Sequence, residues 1–480
     1  MSDDTLSGWE VVVGLEVHCE LRTETKLFCG CRNVFGDEPN TNVCPVCLGL
    51  PGSLPVLNKQ AVEYAVRIGT ALHCRVQPSM FHRKNYFYPD MPKDFQISQY
   101  DVPINADGWL ELPSAKRVGI VRAHMEEDTG KTTHVGGGGR IQGAAHSLVD
   151  YNRAGVPLVE IVSAPDMRSA DEARDYVDEL RAILVATGAS DGKMEEGSLR
   201  VDCNVSVRPQ GSTAFGTRCE IKNMNSLRSL GRAIVYEASR QVEVLSSGGS
   251  VVQETRHWDE ADGSTHAMRS KEEAFDYRYF PEPDLVALAP SDEWVNAVKD
   301  ALPVLPAERR RRVAEAAGVP AGSEPVATVV RLGLDALVTA TVAAKADPAL
   351  ALRRLANEVA GQLAESGAHD IDPDAFVRLV RMEQDGELTS AQARTVLKSF
   401  VADGGDPKAI ARELGFEAMG SDELAGVVET VVSANPKEGE RFGGGDDKVV
   451  GFFVGKVKAA TGGKADLRAA TEMLRRRRGA

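Results

Sequence analysis

The chain has 480 residues, and 56 Lys and Arg against 70 Asp and Glu give a formal net charge of −14. Hydrophobic residues make up 42% and charged residues 26%. That composition excludes wholesale disorder and a chain-wide polybasic coat for nucleic acid, while leaving room for a local basic patch, and at roughly 150 residues per domain the length suggests about three domains.

The opening M-S-D-D-T-L-S-G-W-E lacks the basic start and apolar core of a secretory signal, and no run approaches the roughly 18 apolar residues of a membrane span, so a cytoplasmic location is expected. The first informative strand is V-V-V-G-L-E-V-H-C-E-L, residues 11–21. Side chains alternate across a strand, so Leu15, Val17, Cys19 and Leu21 share an apolar face and Glu16, His18 and Glu20 the opposite one. Carboxylate and imidazole two residues apart suit a divalent metal; the alternative is an ordinary half-exposed strand. Eight cysteines are too few for a secreted disulfide scaffold. Four of them cluster, with Cys29 and Cys31 as C-G-C and Cys44 and Cys47 as C-P-V-C, and two such pairs have the spacing of a four-thiolate zinc knuckle. Its alternative is four unligated core thiols. Because all four coordination positions would be filled, zinc at 29–47 is expected to be structural.

Helical spacing predicts a helix over Lys59–Leu72 and another over Ser169–Thr187, whose Ala170, Ala173, Tyr176, Val177 and Leu180 share a face. Between them, H-R-K-N-Y-F-Y-P-D-M-P-K-D (82–94) interleaves Arg83, Lys84 and Lys93 with Tyr86 and Tyr88, a pattern for holding phosphate and stacking a base, or an aromatic core strand entering a turn. H-M-E-E-D-T-G-K (124–131) carries three consecutive acids; its D-T-G-K-T-T continuation is not a phosphate-binding loop, because Met125 stands where that loop needs glycine. Gly136–Gly139 reads as a surface loop. In L-V-E-I-V (158–162), Glu160 lies in an otherwise apolar strand, and a buried carboxylate needs a cation. Arg200, Asp202, Asn204 and Ser206 alternate with Val201, Cys203, Val205 and Val207, and Arg218, Glu220 and Lys222 alternate with Cys219 and Ile221. Several strands thus pair one apolar face with one of acids, Arg, Asn and Lys. Clustered carboxylates favour a hard metal such as Mg²⁺, and interleaved cations favour phosphate. Together they suggest nucleotide phosphoryl transfer on a sheet. S-S-G-G-S (246–250) follows the helical run Ala233–Leu245 and reads as a polar turn; no Ser or Cys nucleophile constellation is present. The class expected is α+β: a mixed-sheet domain over residues 1–295, then, after a change of composition at Pro283–Pro290, helical segments over 296–405 and 406–480.

Long motifs run in order along the chain: G-L-E-V-H, R-K-N-Y-F-Y-P-D-M-P-K, H-M-E-E-D-T-G-K, D-Y-N-R-A-G-V-P-L-V-E-I, M-E-E-G-S-L-R-V-D-C-N-V-S, E-I-K-N-M-N-S, Q-E-T-R-H-W-D, D-Y-R-Y-F-P-E-P-D-L and G-F-F-V-G-K-V-K-A-A-T. They closely resemble the B subunits of the aspartyl/glutamyl-tRNA(Asn/Gln) amidotransferases. The resemblance implies a first domain similar to the glutamine synthetase/guanido kinase fold and a helical tail contacting tRNA. It implies ATP- and Mg²⁺-dependent phosphorylation of the side-chain carboxylate of Glu-tRNA(Gln) or Asp-tRNA(Asn). Ammonia from a partner chain with amidase activity, tied on by a small third chain to make a heterotrimer, then displaces the phosphate. Carried onto matching positions, it implies Glu16, His18, Glu127 and Glu160 as metal ligands or their neighbours, with Asp202 beside them. Lys84, Arg200 and Lys222 would bind phosphate. Glu16, His18, Glu127 and Lys84 are the catalytic candidates. Arg309–Arg312 and Arg475–Arg478 fall where the resemblance implies tRNA contact; the alternative is solvated helix faces. Two other readings are a stand-alone ligase acting on a small amino acid and a zinc-stabilised RNA-binding module without catalysis.

Overall fold

The computed structural model describes all residues except 1–5, 137–142, 271–276, 367–370, 417–420, 444–447, 462–464, 466 and 479–480; Gly137–Gly139 of the glycine run therefore lie outside the described residues. The chain divides into two compact units, Met1–Pro306 and Ala307–Ala480.

The first unit opens with the long strand β1 (Trp9–Glu20) and the helix α1 (Lys59–Ala71). Asn58 caps α1 by accepting from the backbone N–H groups of Gln60 and Ala61, a contact worth about 1 kcal/mol. The strands β2 (Arg75–Val76), β3 (His82–Asn85), β4 (Phe95–Ser98), β5 (Asn105–Glu111) and β6 (Arg117–Glu127) follow. Then come a separate hairpin of β7 (Lys131–Gly136) and β8 (Ala144–Asp150), and β9 (Pro157–Ser163). The helix α2 (Ala170–Ala186) has Ser169 as its cap, matching the span that periodicity predicts. It leads to β10 (Leu199–Pro209), β11 (Cys219–Met224), the helix α3 (Leu227–Ser246), β12 (Glu254–Asp259), β13 (Ser264–Ser270), β14 (Phe280–Pro281) and the helix α4 (Asp292–Asp300).

Among the described residues, twelve of these strands form one mixed sheet in the order β13-β12-β11-β10-β1-β9-β6-β4-β3-β14, with β5 joining β6 and β2 joining β5. Most neighbours are antiparallel; β11 and β12 are parallel and joined through α3. The alternation seen in the sequence becomes a division of the sheet into two faces. Val11, Val13, Leu15, Val17 and Cys19 of β1 form one hydrophobic core with Ala65 and Ile68 of α1, Tyr176 and Leu180 of α2, and Leu230 and Ile234 of α3. The helices therefore cover one side of the sheet and leave the polar side chains of its central strands on the other.

The second unit is helical and holds two hydrophobic clusters, one built from residues between Val313 and Ala411 and one from residues between Leu424 and Leu474. The helix Pro407–Glu413 contributes Ala411 to the first. The helix α5 (Pro306–Ala317) carries Arg309–Arg312. Arg309 is tied to Asp335 at 2.9 Å, Arg310 is buried, and Arg311 and Arg312 pair with Glu308 one turn back. Half of this run thus serves the helical core. Arg475–Arg477, on the helix Leu467–Arg478, are exposed.

Candidate active site

The pairing of three adjacent strands builds the centre of the polar face. His18 of β1 stands directly opposite Glu160 of β9, and Glu160 stands opposite His124 of β6. Glu126, two residues beyond His124, shares its face. His18 Nε2 lies 3.7 Å from both Glu126 Oε1 and Glu160 Oε2, and His124 Nε2 lies 3.4 Å from Glu160. His18, Glu126 and Glu160 each offer a ligand atom within 4.8 Å of the others. Two carboxylates and an imidazole converging this closely fit a divalent cation of the Mg²⁺ type.

The charges in this group point the same way. Burial pushes Glu126 upward, and the Glu160 carboxylate adds to the effect. Burial would also raise Glu160, but His124, His18, Arg122 and Lys84 outweigh it and hold it at about 2. Burial takes His124 down to about 4. Two neighbouring carboxylates driven apart in acidity form a pair that a bound cation would relieve.

The group forms the floor of a cleft of about 650 Å³. Lys84 and Tyr86 line one side, and Asp128, Arg200, Asp202 and Lys222 the other. The Lys84 ammonium sits 4.6 Å above the Tyr277 ring. Arg200 donates to Asp128 at 2.6 Å, and Lys222 donates to Asp202 at 2.5 Å and lies 3.3 Å from Glu220. Glu16 faces Asp202 across the β1–β10 ladder and accepts from Asn204 at 3.0 Å.

Of the residues expected as metal ligands or their neighbours, the structure brings His18 and Glu160 together, keeps Glu16 and Asp202 on the same sheet face, and puts Glu127 on the other. Glu127 is not in the group. It is one residue out of phase with His124 and Glu126, so it points to the other face of β6, where it is 2% exposed. There it accepts from the Lys93 ammonium and from the Ile97 N–H at 2.8 Å. Glu126 occupies the place expected of Glu127. Glu16 and Asp202 lie on the same sheet face on the Lys222 side, and Asp202 lines the same cleft as His18, Glu126 and Glu160. The spacing His124-x-Glu126, the same signal as Glu16-x-His18, marks the residue that sequence reading missed.

The four clustered cysteines meet as expected. The Sγ atoms of Cys29, Cys31, Cys44 and Cys47 lie within 4.8 Å of one another. A hydrogen bond from Cys29, with the Cys44 N–H and the Lys26 charge, pulls Cys47 down to about 5. The Lys26 ammonium is buried and donates to the Asn42 and Tyr151 carbonyls at 2.8 and 3.1 Å, which stitches the cysteine loop to the sheet unit. Four thiols gathered this closely suit a closed structural zinc site.

Comparison with known proteins identifies the family. The GatB/GatE catalytic domain model matches residues 11–296, and the GatB domain model matches 336–477. Proteins named as the B subunit of aspartyl/glutamyl-tRNA(Asn/Gln) amidotransferase are similar over nearly the whole chain. The Frankia casuarinae protein is 50% identical over 99% of this chain and 97% of its own. The Mycobacterium sp. (strain KMS) protein is 49% identical over 98% and 97%, and the Thermobifida fusca protein 48% over 99% and 95%. The cleft lies inside the matched catalytic domain. The chain belongs to the family of aspartyl/glutamyl-tRNA(Asn/Gln) amidotransferase B subunits.

Proposed function

We propose that this chain is the carboxylate-activating component of a glutamine-dependent carbon–nitrogen ligase that converts Glu-tRNA(Gln), Asp-tRNA(Asn) or both to the amides, in the cytoplasm. A carboxylate is a poor electrophile because oxide is a prohibitive leaving group. Its oxygen attacks the terminal phosphorus of ATP, the bond to ADP breaks, and the acyl phosphate gains a good leaving group. Ammonia then forms the C–N bond as the C–O bond to phosphate breaks. Such a reaction demands neutralisation of charge on the transferring group and little covalent participation by protein.

The observation that carries this reading is the convergence of His18, Glu126 and Glu160 with Lys84, Arg200 and Lys222 on one cleft. Lys84 and Arg200 approach the phosphates from opposite walls. Lys222 contributes the third positive charge, held in place by Asp202 and, through the same patch, Glu16. His18, Glu126 and Glu160 would hold Mg²⁺, which when bound would neutralise phosphate oxygens. In this reading ammonia comes from a partner chain with amidase activity, and a small third chain joins the two. Zinc at the four cysteines stiffens the 29–47 loop, and the helical segments over 296–405 and 406–480 form two domains that contact tRNA. The mixed sheet with its helix-covered back is compatible with a glutamine synthetase/guanido kinase type of catalytic fold.

The test is amidation of each mischarged tRNA by the assembled heterotrimer. Glu160→Ala or His18→Ala should reduce acyl phosphate formation by about 10³-fold while leaving tRNA affinity within about twofold. Unchanged amidation would reduce the chain to a binding module. Amidation of free glutamate without tRNA would favour the stand-alone ligase.

A further inference from the structure

The two ends of the cleft differ in kind, and the reaction proposed above, on which this inference rests, requires two adenosines: that of ATP and the one at the 3′ end of tRNA. At the β10–β11 end, Arg200 and Lys222 stand near Met194 and Met224, with Asn223 and Asn225 among the lining side chains. Flexible thioethers, side-chain amides and two cations suit a nucleotide with its phosphates directed at the floor. On the β3 side the cleft is lined by Lys84 and Tyr86, and an aromatic run extends from there. Tyr277 lies beneath the Lys84 ammonium, the edge of Tyr277 meets Tyr279 at 6.0 Å, and Tyr279 stacks on Tyr100 with ring centres 4.1 Å apart and planes within 9°. A continuous aromatic run thus connects the catalytic floor to the surface, where Tyr100 is 42% exposed.

We propose that the Tyr100–Tyr279 stack is the seat of the terminal adenine base of the aminoacyl-tRNA, with the exposed face of Tyr100 as the stacking surface. Three observations support it. Tyr277, which meets Tyr279, lies under the ammonium of Lys84, and Lys84 lines the same cleft as His18, Glu126 and Glu160. A base seated there therefore holds its esterified ribose within reach of the phosphoryl-transfer centre. Two cations belong to the same region: Arg278 is exposed on the turn between Tyr277 and Tyr279, and the partly exposed Arg122 stands 4.0 Å from Glu160. They suit the phosphodiesters that precede a terminal nucleotide. Finally, Tyr100 stays 42% exposed beyond its parallel contact with Tyr279 and its perpendicular contact with His82, whose ring centre lies 6.1 Å away, and an exposed π-face accepts a base without hydrogen-bond readout, as single-stranded ends require.

The experiment uses the assembled enzyme with Tyr100→Ala and Tyr100→Phe. Tyr100→Ala should raise KM for mischarged tRNA by roughly 5- to 100-fold, the range that stacking of one base supplies, and leave KM for ATP unmoved; Tyr100→Phe should restore tRNA KM. A tRNA whose terminal adenine is replaced by a fluorescent purine analogue should be quenched on binding to the unaltered enzyme and to Tyr100→Phe, and not to Tyr100→Ala. Equal rises in both KM values, a rise for ATP alone, no change in either, or quenching retained in Tyr100→Ala would overturn the assignment. Acyl phosphate formation by the unaltered enzyme at saturating tRNA separates the two claims. Its absence defeats the proposed function, and its presence with an unmoved tRNA KM defeats only the stacking seat.

Discussion

The two candidate metal centres are built in opposite ways. The four thiols come from a single loop of 19 positions, Cys29 to Cys47, whereas His18, Glu126 and Glu160 come from three strands far apart in the chain. The first needs only local turns and a tether, which Lys26 supplies. The second exists only when β1, β9 and β6 pair in one register. A local site can form with its metal and stabilise the fold, whereas a site assembled across a sheet depends on the fold being present and spends stability to gather like charges.

That contrast can be broken most strongly at the thiols. Cys29→Ser should drop zinc content below one equivalent per chain and lower the stability of the 29–47 loop by on the order of 5 kcal/mol, read by metal analysis and hydrogen exchange. Undiminished protection without zinc would make the cluster four ordinary thiols. The next effect separates the two faces of β6. Glu127→Gln leaves the Lys93 ammonium buried without its counter-charge and should cost about 3–5 kcal/mol in denaturant unfolding while leaving divalent-cation affinity intact. Glu126→Gln should do the reverse, weakening the cation by about tenfold or more with little loss of stability. Interchanged results would return Glu127 to the metal site. The smallest effect concerns pH. Burial, then the Asp128 carboxylate, pushes Glu20 up from 4.5 to about 7. Between those values the folded chain keeps a proton that the unfolded chain has released, so stability falls as pH rises through that window and the loss is complete above it. Glu20→Gln should flatten the slope and gain on the order of 2 kcal/mol near pH 8; a slope that survives the substitution would assign it to other groups.

The helices and the two-faced strands were legible in the sequence because their signals are local. Asn58 and Ser169 mark helix starts, and the alternation in β1 and β10 separates core from cleft. The cysteine cluster was legible for the same reason. The candidate site on the sheet was only half legible. His18 and Glu160 stood out singly, one by its strand neighbours and one as a carboxylate in an apolar strand, but nothing local says which strands become neighbours. The choice between Glu126 and Glu127 turned on the phase of β6, where consecutive acids hide the alternation. The arginine run at 309–312 misleads differently: composition cannot show that Asp335 claims Arg309 and that Arg310 is buried.

Glu160 is the hinge of the whole arrangement, because the strand that carries it is hydrogen-bonded on both sides, to β1 and to β6. Sliding β9 by a single position would turn Val159 or Ile161 toward the imidazoles and bury the carboxylate among the helices. Such a slipped chain could retain most of its backbone ladder and still be inert. Assays of folding by helix content or by compactness would pass it, so the proposed cation site, and not any spectroscopic measure of shape, would report the slip.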